Sequence, residues 1–354
     1  MTGQFLIYGA TGYTGKLMAR MAKKQGLHPV LSGRNAKTLK AVAEPLGFEY
    51  KVVDLAEKTL LDRTLTDMTC VLHAAGPFST TARPMLEACI RAGVHYLDIT
   101  GEIDVFEACA ARDRDAQKRG IMVMPGVGFD VVPSDCMAAY VRERLPDATQ
   151  LTLAIGGLNS TSRGTAKTAI EWIGRGTRAR RNSKIVSLED TPMREIDFGD
   201  GPKRSIAVSW GDVSTAYYTT GIPDITVFFE ASPKIESLTN LSGFMKWLLA
   251  LEPAQALLKT FIDLQPEGPT DAERQSGSAC IYAEAENDRG DRISALLSTP
   301  EGYTLTCMTG LEIVRRVLDG QAISGFQTPA NVFGPDFILG FEGCTRTDIP
   351  SQSL

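Results

Sequence analysis

The chain holds only three histidines, His28, His73 and His95, in 354 residues, and none stands in an H-E-x-x-H or other zinc spacing. A serine hydrolase would need one of them as its base, and no G-x-S-x-G elbow accompanies them. His73 and His95 fall at or near the ends of apolar runs, which reads as rings packed in a core. The seven cysteines (Cys70, Cys89, Cys109, Cys136, Cys280, Cys307, Cys344) are scattered with no C-x-x-C pair, so they read as reduced, core-filling thiols of a cytoplasmic protein without a bound metal. Basic charge is not in excess: 37 Lys and Arg against 42 Asp and Glu leave a formal net charge of -5, which argues against nucleic acid as a partner. No apolar run fills the roughly 20 residues that a membrane helix needs. The best candidate, 244–264, is broken by Lys246, Glu252, Pro253, Lys259 and Asp263 and reads as two helices covering a site or making a dimer contact. Membrane contact is then at most peripheral, through Phe244, Trp247, Leu248 and Leu251. The first residues lead straight into a strand, without a secretory signal.

What the sequence does carry is Gly9-Ala10-Thr11-Gly12-Tyr13-Thr14-Gly15, after the apolar run Phe5 to Tyr8 and before a helical stretch to about Lys24. A strand entering a glycine-rich turn and then a helix predicts a dinucleotide cradle. Glycine lets the backbone approach a pyrophosphate, and the unpaired N–H groups of the helix start face its charge. An NAD site carries an acid about 20 residues on, at the end of the second strand. Here that position offers Ser32, Arg34 and Asn35, and no Asp or Glu occurs before Glu44. A guanidinium there suits the 2′-phosphate of NADP(H).

Further strands are expected at Tyr50 to Val53, Cys70 to Ala75, His95 to Asp98 and Ile121 to Met124, separated by helical stretches, one of them running from Asp104 to Arg119. This alternation predicts a doubly wound parallel sheet of Rossmann type. Asp54-Leu55 would lie beside the adenine, or Asp54 would cap the next helix. Ala75-Gly76-Pro77-Phe78 ends the fourth strand where a nicotinamide should lie. After Pro146 the runs 150–155, 205–210, 225–229, 279–286 and 292–298 are β-rich, and suggest a second α+β domain on a mostly antiparallel sheet. The expected division is 1–135 for the nucleotide domain, 136–325 for a substrate and dimerisation domain, and 326–354 for a C-terminal segment returning to the first. The basic stretch from Arg163 to Lys184 is either a solvated loop or a dock for an anionic, carrier-bound substrate.

Taken together, Gly9 to Gly15, Ala75 to Phe78, Tyr96-Leu97-Asp98-Ile99-Thr100-Gly101-Glu102 and Gly128-Phe129-Asp130-Val131-Val132-Pro133-Ser134-Asp135 resemble the saccharopine dehydrogenase-like oxidoreductases, including trans-acting enoyl reductases. The resemblance extends through Trp210-Gly211-Asp212, Thr220 to Pro223, Gly268 to Arg274 and Thr328 to Gly334. Its glycine turn looks closer to the enoyl reductase branch than to the saccharopine-forming enzymes. The resemblance implies a Rossmann domain, NADP(H) and hydride transfer, and leaves the acceptor open; a small-molecule or carrier-bound acyl substrate is the expected partner.

A proton donor or charge stabiliser must accompany hydride transfer. Tyr96, Asp98 and Glu102, at the end of the fifth strand, and Asp130 with Ser134, after the sixth, are the candidates, with Tyr96, Glu102 and Asp130 foremost, because ligands of open α/β sheets bind outside the carboxyl ends of the strands. Each also has a structural reading: Tyr96 in the core, Glu102 as the cap of a helix beginning near Asp104, Asp130 as a loop brace. Tyr217, Tyr218 and Thr220 fit a strand pair or a cover for the nicotinamide. Three functions remain open: an enoyl reductase, an amino-acid or imine dehydrogenase of the saccharopine kind, and an NADP(H)-binding redox sensor without turnover.

Overall fold

The computed structural model describes residues 3–157, 162–164, 176–231, 254, 258, 260–262 and 264–350. The chain divides into two compact units, Met1–Val132 with Tyr303–Gly334, and Pro133–Gly302 with Pro335–Leu354. The first unit therefore ends three residues before the expected boundary. Its returning segment starts at Tyr303, well before 326, and gives way at Pro335 to the second unit.

In chain order the first unit runs β1 (Phe5–Tyr8), α1 (Tyr13–Lys24), β2 (Val30–Gly33), α2 (Ala36–Leu46), β3 (Tyr50–Val52), α3 (Lys58–Leu65), β4 (Cys70–His73), α4 (Phe78–Ala92), β5 (His95–Asp98), α5 (Ile103–Ala110), α6 (Asp113–Arg119) and β6 (Met122–Met124). Strands β1, β2 and β4 are buried at every position, as expected of a parallel sheet covered on both faces. Glycines at positive φ end α2, α4 and α6 at Gly47, Gly93 and Gly120, the residue type that takes this conformation without strain. The helix expected from Asp104 to Arg119 is two helices. The strand order β3-β2-β1-β4-β5-β6 is parallel throughout and reverses direction between β1 and β4. That switch point opens a crevice at the carboxyl ends of the strands.

The chain continues through α7 (Val132–Arg144), β7 (Gln150–Gly156), β8 (Arg178–Arg181), β9 (Lys184–Ser187), β10 (Met193–Asp197), β11 (Pro202–Ala207), α8 (Asp212–Thr220), β12 (Asp224–Glu230), α9 (Asp271–Ser276), β13 (Ser278–Glu286) and β14 (Arg292–Pro300). After α10 (Gly302–Leu318), β15 (Gly325–Phe326) adds to the first sheet beside β6, and β16 (Thr345–Ile349) adds to the second beside β14. The second sheet has the order β10-β11-β12-β7-β13-β14-β16 and is antiparallel except at β12 and β7, with β8 and β9 attached at β12. Tyr217, Tyr218 and Thr220 lie on α8 and not on a strand. Most of the apolar stretch 244–264, with Lys167, Trp172 and Arg175 of the basic stretch, lies outside the described residues. No helix among the described residues is long and apolar enough to cross a membrane.

Candidate functional site

The glycine turn is shaped by contacts that leave no room for side chains. Gly9 has φ +86°, and a Cβ on it would come within 2.7 Å of the Ala75 nitrogen; a Cβ on Gly15 would lie 2.2 Å from the Gly9 carbonyl oxygen. The Ser32 carbonyl accepts from the Gly9 and Ala10 N–H groups at 2.9 and 3.1 Å, stitching the turn to the end of β2. Gly12 precedes α1 without a side-chain cap, and the first turn of α1 contains no acid. The helix start thus keeps its partial positive charge for an anion. Tyr13 stands edge-on to Tyr303, their centroids 5.1 Å apart. Gly12 is exposed, and Thr11, Tyr13 and Thr14 are half-buried.

At the end of β2 the three predicted anchors separate. The Ser32 side chain is fully buried and its hydroxyl donates to the Lys51 carbonyl at 2.8 Å, so it serves the sheet and not a ligand. Asn35 caps α2, its Oδ1 accepting from the Thr38 N–H at 3.1 Å. Arg34 and Asn35 are both exposed, but Arg34 has no hydrogen bond or ion pair among the described residues. Its charge acts on the Tyr8 phenol, whose pKa rises to about 12 through burial, with Asp54 adding to the rise and Arg34 opposing it. Asp54 accepts from the Ala56 N–H at 2.9 Å within its own turn, and Leu55 packs against the core.

The loop after β4 is held from two sides. Glu102, almost fully buried, accepts from the Phe78 and Ser79 N–H groups at 2.9 and 2.8 Å. It therefore caps α4 and makes no cap bond to the helix that begins at Ile103. From below, the Thr81 hydroxyl reaches the Ala75 and Pro77 carbonyls at 2.6 and 3.0 Å. Ala75 and Pro77 are half-buried and Gly76 exposed, whereas the Phe78 ring packs in the core against His73.

Tyr96 has no exposed surface, and its phenol donates to Asp98 Oδ2 at 2.6 Å. Burial and the Asp98 charge hold the phenol well above its ordinary pKa. The phenol proton is committed to this buried hydrogen bond. Asp98 Oδ1 accepts from the Thr100 and Gly126 N–H groups, each at 2.9 Å, joining the loops after β5 and β6. Burial pushes its pKa up to about 6 against these bonds. Asp130 lies half-buried over the end of β5, where a Cβ on Gly101 would stand 2.9 Å from its Oδ2. Burial pushes the Asp130 carboxyl up to about 7. From α10, Thr306 accepts from the Phe129 N–H at 2.9 Å and Thr309 donates to the Val127 carbonyl at 2.8 Å.

The structure thus gathers Gly9 to Gly15, Arg34, Ala75 to Pro77 and Asp130 at strand ends of one sheet, and assigns Ser32, Asn35, Tyr96, Glu102 and Phe78 to the frame. Asp98 was among the expected candidates, whereas Thr81, Thr306 and Thr309 were not. Thr81 had a local signal, since it lies one helical turn after Pro77; Thr306 had none. In the second unit the basic stretch is partly structural. Arg180 is 4% exposed, donates to the Val213 and Ser183 carbonyls and lies 4.2 Å from the Tyr217 ring centroid. Arg181 donates to the Ile225 carbonyl and Thr226.

Residues 5–124 match the family of saccharopine dehydrogenase NADP binding domains. Over 53% of the chain and 50% of its relative, the sequence is 26% identical to a human saccharopine dehydrogenase-like oxidoreductase. A putative trans-acting enoyl reductase of Mycobacterium tuberculosis is 31% identical over 42% of the chain and 38% of that protein. Matched segments span about half or less of these curated relatives. Among solved structures, the apo saccharopine dehydrogenase (L-Glu forming) of Saccharomyces cerevisiae superposes with a TM-score of 0.65 at 11% identity, covering 98% of this chain and all of that one. Homospermidine synthase of Legionella pneumophila, solved with NAD, gives 0.63 at 10% identity over 99% of this chain and 92% of that one. Both likenesses are of fold.

Proposed function

We propose, from the match of residues 5–124 to the saccharopine dehydrogenase NADP binding domain family, that the chain is an NADP(H)-dependent oxidoreductase that reduces an enoyl or related conjugated substrate. The observation that carries the cofactor choice is Arg34. It is an exposed guanidinium without a described partner, on a strand end that has no carboxylate to bind ribose hydroxyls. Relatives named trans-acting enoyl reductases support the substrate class.

When bound, the dinucleotide supplies a hydride from its nicotinamide. The chain's own residues bind and orient it. Gly9 to Gly15 and the start of α1 receive the pyrophosphate, Arg34 takes the 2′-phosphate, and Ala75 to Pro77 back the nicotinamide half. Asp98, Glu102 and Thr306 hold the surrounding loops. Asp130 is the proton donor in this reading, because a carboxyl raised to about 7 is still partly protonated at neutral pH.

The test follows NADPH oxidation with an α,β-unsaturated thioester. Turnover that falls as pH rises through about 7, and that Asp130→Asn abolishes, is the expected result. Turnover only with a keto acid plus an amine would move the chain to the saccharopine kind of reaction. Nucleotide binding without turnover of either class would make it a sensor.

A further inference from the structure

Thr81 has one hydroxyl proton and faces two groups that only accept, the Ala75 carbonyl at 2.6 Å and the Pro77 carbonyl at 3.0 Å. The shorter contact takes the proton. The same oxygen lies 3.2 Å from His73 Nε2 and therefore accepts there, which fixes His73 as the Nε2–H tautomer. His73 is fully buried, and burial lowers its pKa to about 3, so the ring stays neutral. Its plane is confined by Tyr8, Phe78 and Tyr96, at centroid distances of 5.5, 5.3 and 6.4 Å. A directed chain thus runs from the last residue of β4, through Thr81, to the Ala75 carbonyl.

The loop it ends on has no slack, because the Cβ position of Gly9 is 2.7 Å from the Ala75 nitrogen. A loop released from Thr81 would move toward or away from the glycine turn. Van der Waals packing resists the first motion; the Ala74 N–H bond to the Tyr8 carbonyl at 2.8 Å, on one side of the loop, and Glu102, on the other, resist the second.

We propose that His73 and Thr81 are positioning residues that set the Ala75 to Pro77 backbone against the glycine turn, and so shape the seat of the nicotinamide half of NADP(H) without touching the substrate. The proposal rests on the reading that the dinucleotide lies across the ends of β1 and β4. It predicts an effect confined to one half of the cofactor.

The experiment is a titration of the full chain with NADPH and with 2′,5′-ADP, which keeps the adenine half and its phosphate but lacks nicotinamide. Thr81→Val removes the hydroxyl at equal volume and should weaken NADPH about tenfold, the scale of one lost buried hydrogen bond, while 2′,5′-ADP binding stays within about twofold. Thr81→Ser should restore NADPH binding. His73→Gln, which keeps an N–H directed at Thr81, should bind more tightly than His73→Phe. Unchanged NADPH affinity in Thr81→Val, or equal weakening of both ligands, would overturn the proposal while leaving the dinucleotide reading intact. A wild-type chain that binds neither ligand overturns both.

Discussion

Glu102→Gln separates a structural carboxylate from a chemical one. The wild-type carboxylate accepts two backbone N–H groups at 2.9 and 2.8 Å in a site only 3% exposed. Glutamine keeps one carbonyl acceptor and turns an NH2 toward the other N–H, so one charge-assisted bond is lost and a buried donor is left without a partner. A stranded buried donor costs about 1–3 kcal/mol, and the lost charge at the start of α4 adds about 0.3–1 kcal/mol. The expected destabilisation is therefore on the order of 2–3 kcal/mol. Urea unfolding followed by far-ultraviolet circular dichroism would measure it, and hydrogen exchange should show faster exchange at Phe78 and Ser79. Loss of less than about 0.5 kcal/mol, with protection at those amides unchanged and turnover abolished, would refute the capping account and return Glu102 to the chemistry.

Other expectations follow from the same contacts. Asn35→Ala should cost about 1 kcal/mol through its lost cap and leave the preference for NADPH over NADH unchanged, because its side chain is spent on Thr38. A shifted preference in a nucleotide titration would contradict this. Asp130 and Asp98 bind their protons more tightly folded than unfolded, so the folded state carries an ionisation cost that is absent below about pH 4 and complete above about pH 7. Stability should fall across that window, and Asp130→Asn should flatten the fall. A wild-type unfolding free energy that rises from pH 5 to pH 8 would contradict that sign.

The alternation of buried strands and helices was legible because it rests on local periodicity and on glycines that stop helices, as at Gly47, Gly93 and Gly120. The cradle was legible for the same reason: Gly9 and Gly15 have no alternative residue that fits. What the sequence concealed is the direction of single side chains. Ser32, Arg34 and Asn35 stand within four positions, yet one faces β3, one faces solvent and one caps a helix. Glu102 has a local helix to cap but serves one 24 positions earlier, and Thr306 braces a loop 177 positions away. Such long-range bonds leave no spacing to read. The helix at 212–220 was missed because Thr and Tyr favour strands, and packing overrode that preference.

In the proposed function the chain holds NADP(H) in the Gly9 to Gly15 cradle and recognises its phosphate through Arg34. Calorimetric titration with NADPH and NADH, on the wild type and Arg34→Ala, tests it most directly. NADPH should bind more tightly than NADH, with a loss in Arg34→Ala of about 1–3 kcal/mol for NADPH and little change for NADH. Equal affinity for the two nucleotides, or a preference that survives Arg34→Ala, would contradict it.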